Sequence, residues 1–294
     1  MNQSGASQKR LYNINDMTLT QVRQLLAALD LHPRKALGQN FLIDANILRI
    51  IVEQAEIRAD ERVLEIGPGL GMLTAALLKL SRHLVAIEKD TRLCQNLREQ
   101  FPALGLIEGD ALKVELPAVD KVVSNLPYNV GTAIVERLVD SEQPPRRMVV
   151  TLQREVVERM LATPRHKEYG VLTLCTQLRY HVTLAHKVSA SCFYPAPNVE
   201  SAIVVLDRRE PRVKLEDGAP FHALVRAGFS QRRKMLHKLL TEFGDVDAAF
   251  GRLGIALTVR AEELNLEQWI ALANAMRVRL QIASSLSLKH NDQL

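Results

Sequence analysis

The sequence predicts an α/β protein: a doubly wound, mostly parallel sheet followed by a small, all-helical C-terminal domain. Three observations carry this expectation. From about Asp60 to Arg208, short apolar runs alternate with amphipathic stretches. The runs are continuously apolar, which is how strands buried on both faces by flanking helices read. After "DRREPRVKLEDGAP" the strand-like runs stop and only helical spacing remains. The 294 residues suffice for two ordinary domains. The expected boundaries are a leader and short helix over 1–33, an α/β domain over 34–210, a helical domain over 211–282 and a disordered tail over 283–294.

The elements follow in order. Residues 1–18 are polar and read as a frayed leader. In "TLTQVRQLLAALDLHP", Val22, Leu25, Leu26 and Leu29 share one helical face, and Pro33 ends the helix. "RVLEIG", a short apolar run ending in glycine, is the first strand, and Leu73, Ala76, Leu77 and Leu80 mark the helix after it. "HLVAIE", "LGLIEGD", "VDKVVSN" and "RMVVTLQ" are the next four strands. "REVVERML" and "VLTLCTQL" are helical, and "YHVTLAHKV" with "SAIVVLDRR" forms a closing strand pair. Beyond them, Leu236, Leu239, Leu240 and Phe243 predict one helix, and Trp269, Leu272, Ala273 and Met276 another.

Composition narrows the classes. The N-terminal stretch has no apolar core of signal-peptide length, and no run approaches the ~18 uncharged apolar residues of a membrane span. A cytoplasmic location and no membrane association are expected. Cys94, Cys175 and Cys192 have neither zinc nor redox spacing, and buried, reduced thiols are expected. The histidines form no metal-binding cluster, so no metal is expected. The formal net charge is +5, and its grouping into "HPRK" (32–35), "PRHK" (164–167), "DRREPRVK" (207–214) and "SQRRKMLHK" (230–238) points to a polyanionic partner.

Doubly wound sheets bind ligands across the carboxyl ends of their strands. The first of these ends is "EIGPGLG", where Gly67, Gly69 and Gly71 let a backbone approach a ligand closely. Glu88 ends the second strand 21 residues beyond Gly67, the spacing at which a carboxylate takes two ribose hydroxyls. Asp110 follows the third and could accept from an adenine amino group; Asn125 ends the fourth. A dinucleotide fingerprint needs a third glycine at position 72, which is Met72. With no pyrophosphate signal left, a nucleoside without phosphates fits better, and S-adenosylmethionine is the expected cofactor.

"NLPY", Asn125 to Tyr128, then has a chemical reading. An exocyclic amine of a nucleobase is a poor nucleophile because its lone pair is delocalised into the ring. If the Asn125 amide oxygen and the Leu126 carbonyl accept its two protons, the nitrogen pyramidalises and the lone pair localises. Pro127 fixes the turn, and Tyr128 offers a stacking face worth ~1–3 kcal/mol. A base reached in this way is unstacked from its strand, so a second aromatic is expected opposite Tyr128. Phe193 in "CFYPAPNVES" is the first choice, and Tyr194 the second.

"KALGQNFLID", "VLEIGPGLGMLT", "EGDAL", "NLPYNV", "LQREVVERM", "YGVLTL", "CFYPAPNVESAIV", "RRKMLHKLL" and "RAEELNLEQWIALANAM" occur in this order between about Leu19 and Arg279. Together they closely resemble the KsgA/RsmA family of bacterial small-subunit ribosomal RNA adenine dimethyltransferases. The resemblance implies the fold of class I S-adenosylmethionine-dependent methyltransferases. It also implies transfer of two methyls to N6 of each of two adjacent adenosines in the 3′-terminal hairpin loop of 16S RNA, within a pre-30S particle. It assigns cofactor binding to Gly67, Glu88, Asp110 and Asn125, with Ala111 beside Asp110. It adds Asn40 and Leu42 from an element that closes over the cofactor; by itself Asn40 reads as a helix cap before "FLIDANILRIIV". The basic helix, with Arg232, Arg233, Lys234 and Lys238, is expected to touch RNA phosphates, although Met235 and His237 depart from the family's usual "RRKTLRN". A monomer is expected. The alternatives are a macrolide-resistance-type adenine methyltransferase acting on 23S RNA, and a ribosome assembly factor without catalysis.

Overall fold

The computed structural model describes residues 18–31, 38–211 and 213–276. The leader before Thr18, the "HPRK" run with Pro33, and the tail over 283–294 lie outside the described residues.

The chain begins with α1 (Leu19–Ala28), closed by a capping box in which Thr18 and Gln21 exchange hydrogen bonds. A short β1 (Phe41–Leu42) leads to α2 (Ala45–Ala55). Asp44 caps α2, its carboxylate accepting from the Asn46 and Ile47 amides at 2.9 and 3.0 Å. The cap expected at Asn40 is therefore four residues later, and Asn40 is left for another role.

Then come β2 (Arg62–Ile66), α3 (Met72–Leu77), β3 (His83–Glu88), α4 (Thr91–Gln100), β4 (Gly105–Glu108), β5 (Lys121–Asn125), α5 (Gly131–Val139) and β6 (Arg147–Gln153). The remaining elements of the sheet region are α6 (Arg154–Leu161), α7 (Val171–Arg179), β7 (Tyr180–Val188), β8 (Phe193–Tyr194) and β9 (Ser201–Arg208). Seven strands form one sheet in the order β4-β3-β2-β5-β6-β9-β7. β2 pairs in parallel with β3 and β5, β4 with β3, and β6 with β5. β1 and β8 form a separate antiparallel pair, Leu42 facing Phe193. The helix expected to reach Leu80 stops at Leu77, and Leu80 is exposed.

The chain divides into two compact units. In the first, residues up to Arg154 with 184–205, a core of Val63, Leu77, Ala86, Val123, Val149 and Ile203 covers the parallel strands. Buried polar groups pin strand ends: the Ser124 hydroxyl accepts from the Ile66 amide at 2.8 Å. The Lys121 ammonium, 2% exposed, pairs with Glu61 at 3.0 Å and donates to the Ala55 carbonyl at 2.9 Å.

The second unit comprises 155–183 and 206 onward. It holds α8 (Phe221–Gly228), α9 (Leu236–Leu239), α10 (Val246–Leu253) and a helical stretch over 266–276. Trp269 is fully buried and stacks on Phe229, with ring centroids 5.9 Å apart. Two expectations change here. The domain boundary expected at 210/211 is not where the cores divide, because Ala162, Tyr169, Leu174 and Leu178 belong to the helical core. The helix expected from Leu236 to Phe243 breaks after Leu239 into a separate 3-10 turn, Thr241–Phe243. Among the described residues, no helix is long and apolar enough to cross a membrane.

Candidate active site

The strand order reverses between β2 and β5, and a cleft of about 1070 Å³, mouth included, opens at their carboxyl ends. Its floor is the turn after β2. Gly67 and Gly69 have φ of +69° and +59°, in the left-handed region where a side chain is strained. A Cβ on Gly69 would sit 3.0 Å from the Phe41 ring, so the cradle exists because no side chain fills it. Gly71, also expected to bind cofactor, does not line the cleft; it starts α3 with φ +86° and packs against Phe101.

Glu88 ends β3 almost fully buried. Its carboxylate accepts from the Gly69 amide at 3.2 Å, from Lys89 at 2.8 Å and from Asp90 at 2.9 Å. Burial raises its pKa, and these three amides oppose the rise. Asp110 is held low by the Lys89 ammonium, 2.9 Å away, and by the Leu112 amide. Ala111, Leu42 and Asn40 complete the wall, so of the residues assigned to the cofactor only Gly71 stands outside it.

Asn125, the last residue of β5, has a defined orientation. Its amide nitrogen donates to the Asn40 carbonyl at 3.0 Å. Its amide oxygen is buried without a hydrogen-bond partner. A buried acceptor left unmatched costs on the order of 1–3 kcal/mol, and such groups mark ligand sites. The Asn40 main chain thus fixes the Asn125 amide, while the Asn40 side chain donates to the Gly38 carbonyl at 3.3 Å. Leu126 and Pro127 line the same cleft, and the Leu126 amide is taken by the Thr151 carbonyl at 3.2 Å.

The aromatic pair departs from expectation. Phe193 is 2% exposed and meets Tyr128 edge-on, with centroids 6.2 Å apart and planes at 74°. The two rings meet edge to face rather than in parallel, and neither is among the residues lining the cleft. Tyr194 lies under the Arg23 guanidinium, 5.2 Å from its ring centre.

Sequence reasoning missed several contributors. Glu65 lines the cleft, fully buried, and accepts from the Thr74 hydroxyl at 2.6 Å; burial pushes its pKa up to about 8. Gly38, with φ +63°, leaves room for Asn129, whose side-chain oxygen would be 2.6 Å from a Cβ there. A glycine at that point and an acid before the glycine turn were visible signals, but their contacts depend on the folded chain.

In the helical unit, Arg232, Arg233 and Lys234 lie in the turn before α9, so the basic helix is largely a basic turn. Arg232 pairs with Glu262 at 3.1 Å and donates to the Lys167 carbonyl. Arg232, Arg233, Lys234 and Lys238 are all exposed, and Arg232 differs in tying three segments together.

A glycine turn that no side chain fills, next to an amide oxygen free to accept a hydrogen bond, suits a nucleoside donor and a nitrogen that presents N–H groups. The fold and this cleft define a class I S-adenosylmethionine-dependent methyltransferase. A family profile described as ribosomal RNA adenine dimethylase matches residues 31–277, and the chain belongs to that family. It is 39% identical over 276 residues to "Ribosomal RNA small subunit methyltransferase A" of Geobacillus thermodenitrificans, covering 86% of this chain and 94% of the relative. The protein of the same name in Magnetococcus marinus is 40% identical over 265 residues, covering 86% and 95%. Among solved structures, a dimethyladenosine transferase from Plasmodium falciparum superposes with a TM-score of 0.69 at 28% identity, covering 79% of this chain and 95% of that one. The 23S rRNA methyltransferase ErmE superposes with a TM-score of 0.63 at 30% identity, covering 81% and 99%.

Proposed function

We propose that this enzyme dimethylates N6 of two adjacent adenosines in the 3′-terminal hairpin loop of 16S ribosomal RNA, acting as a monomer on a pre-30S particle in the bacterial cytoplasm. Gly67, Gly69, Glu88, Asp110 and Ala111, with Asn40 and Leu42, hold the cofactor. S-adenosylmethionine supplies the electrophilic methyl carbon when bound. The chain's own part is positioning. The Asn125 oxygen and the Leu126 carbonyl accept hydrogen bonds from the two amino N–H groups, Pro127 fixes the turn between them, and Tyr128 stacks on the base. The proton is released to solvent once the nitrogen is methylated. No strong general base is needed, because the nitrogen becomes acidic only after it is methylated. Catalysis is then orientation plus hydrogen bonding to developing positive charge.

The observation that carries this reading is the unpartnered, oriented amide oxygen of Asn125. Asn125→Ala is expected to stay folded and to lose ~10²–10³-fold in methyl transfer at saturating cofactor. Full activity in that variant would remove the mechanism. Mass spectrometry of 16S fragments, after incubation with cofactor and unmethylated 30S particles, should find two dimethyladenosines side by side.

A second reading, methylation of 23S RNA, is favoured by the likeness to ErmE. The relatives named for the small subunit are more similar, at 39–40% against 30% identity. Offering 30S and 50S particles together with labelled cofactor separates the two, and label on 50S alone would select the second.

A further inference from the structure

Stacking needs only a ring, and phenylalanine would supply the same face as Tyr128. The hydroxyl therefore needs its own explanation. It is hydrogen-bonded to the Ser201 hydroxyl. Ser201 is fully buried at the start of β9, and its neighbourhood is fixed. The preceding Glu200 carbonyl accepts from the Arg154 amide at 2.9 Å, and the Glu200 carboxylate pairs with Arg154 at 2.6 Å. Burial raises the phenol pKa, with the Ser201 bond opposing, so the group stays protonated and available as a donor.

Tyr128 is thus held at both ends. Its backbone follows the end of β5, while its tip is fastened to β9, which lies beyond β6 in the sheet. Phe193 closes one side edge-on. A ring held at Cα and at the para oxygen cannot swing about its first side-chain torsion without breaking the outer bond. One aromatic face, three residues along the chain from Asn125, is therefore kept in a set attitude before any base arrives.

We propose that Ser201 is a positioning residue for methyl transfer, acting through its hydroxyl on the phenol of Tyr128 to fix the attitude of the ring on which the target adenine stacks. This rests on the assignment of Tyr128 as the stacking face. Nothing in the residue types alone marks Ser201, which could equally have been a buried serine bonded to its own strand.

The test uses the full-length enzyme, unmethylated 30S particles and five variants: Ser201→Ala, Ser201→Thr, Tyr128→Phe, the double Ser201→Ala/Tyr128→Phe, and Tyr128→Ala. Each single loss of the hydroxyl bond should lower the methylation rate at saturating cofactor by about tenfold, the scale of one buried hydrogen bond. The double variant should be no slower than either single one, because both remove the same contact. Affinity for S-adenosylhomocysteine should stay near the parent value, and the lost buried bond should lower the melting temperature by only a few degrees, leaving every variant folded at the assay temperature. A reduced rate in folded enzyme with full cofactor affinity is a pattern that general destabilisation would not give. Ser201→Thr, which keeps a hydroxyl, should recover much of the rate. Full activity of both Ser201→Ala and Tyr128→Phe, with Tyr128→Ala inactive, would overturn the tether and leave the stacking face standing. Multiplicative losses in the double variant would also overturn it. Full activity of Tyr128→Ala would overturn both.

Discussion

Glu65 stays protonated in the folded protein up to about pH 8, chiefly because burial disfavours its charge, with nearby Glu88 adding to the effect. In the unfolded chain it ionises near its ordinary 4.5. Folding between those values takes up a proton, so this group makes the protein less stable as pH rises from about 4.5 to 8, and no further above that. Glu65→Gln removes the penalty. In the cofactor-free protein its melting temperature should exceed the parent's clearly at pH 8.5 and hardly at all at pH 4.5; an equal gap at both would place the proton elsewhere. Glu88, Asp110 and Asn125 could be read from the sequence because each sits where a strand ends, a position that apolar patterning marks. Glu65 could not, since its burial and its bond to Thr74 arise only when α3 packs over β2. Asn40 was reached by resemblance alone: it fixes Asn125 through a main-chain carbonyl, which every residue has.

The strands were the most legible elements. Buried on both faces, they are written as unbroken runs such as "KVVSN" and "RMVVTLQ", whose burial is nearly complete. The start of α3 was read by type but not by role. Gly71, expected in the ligand cradle, lies outside the cleft lining and caps α3: a Cβ there would come within 2.4 Å of the Phe101 ring, and its φ is +86°. At Gly67 the nearest atoms, of Pro127, would be 3.4 Å away. Gly71→Ala should therefore cost stability by roughly 1–3 kcal/mol from backbone strain, with the clash adding to it. Gly67→Ala should cost less stability, and chemical denaturation of the two variants ranks them. The helix expected over Leu236 to Phe243 failed for a different reason. Leu236 and Leu240 are buried at helical spacing, but the backbone leaves the helix after Leu239 to form a tighter turn, which periodicity cannot distinguish from its continuation.

At the scale of the whole molecule, the net charge of +5 fits a ribosomal RNA partner, but individual basic residues differ in kind. Arg233→Ala and Lys234→Ala should each reduce the log-log salt slope of particle binding by about 0.7–0.9, if each neutralises one phosphate. Arg232→Ala should instead lower the melting temperature, because it releases Glu262 and the Lys167 carbonyl. An Arg232→Ala variant with unchanged stability and a reduced slope would return that residue to the RNA surface. The reversal of strand order beside β2 has a larger consequence. It parts the strand ends into two wings, with Glu88 and Asp110 after β3 and β4 on one side and Asn125, Tyr128 and Ser201 after or on β5 and β9 on the other. Under the function proposed above, Asn125 is where the wings meet, so a substitution there should disturb donor and acceptor together, whereas one at Ser201 should leave the donor side alone.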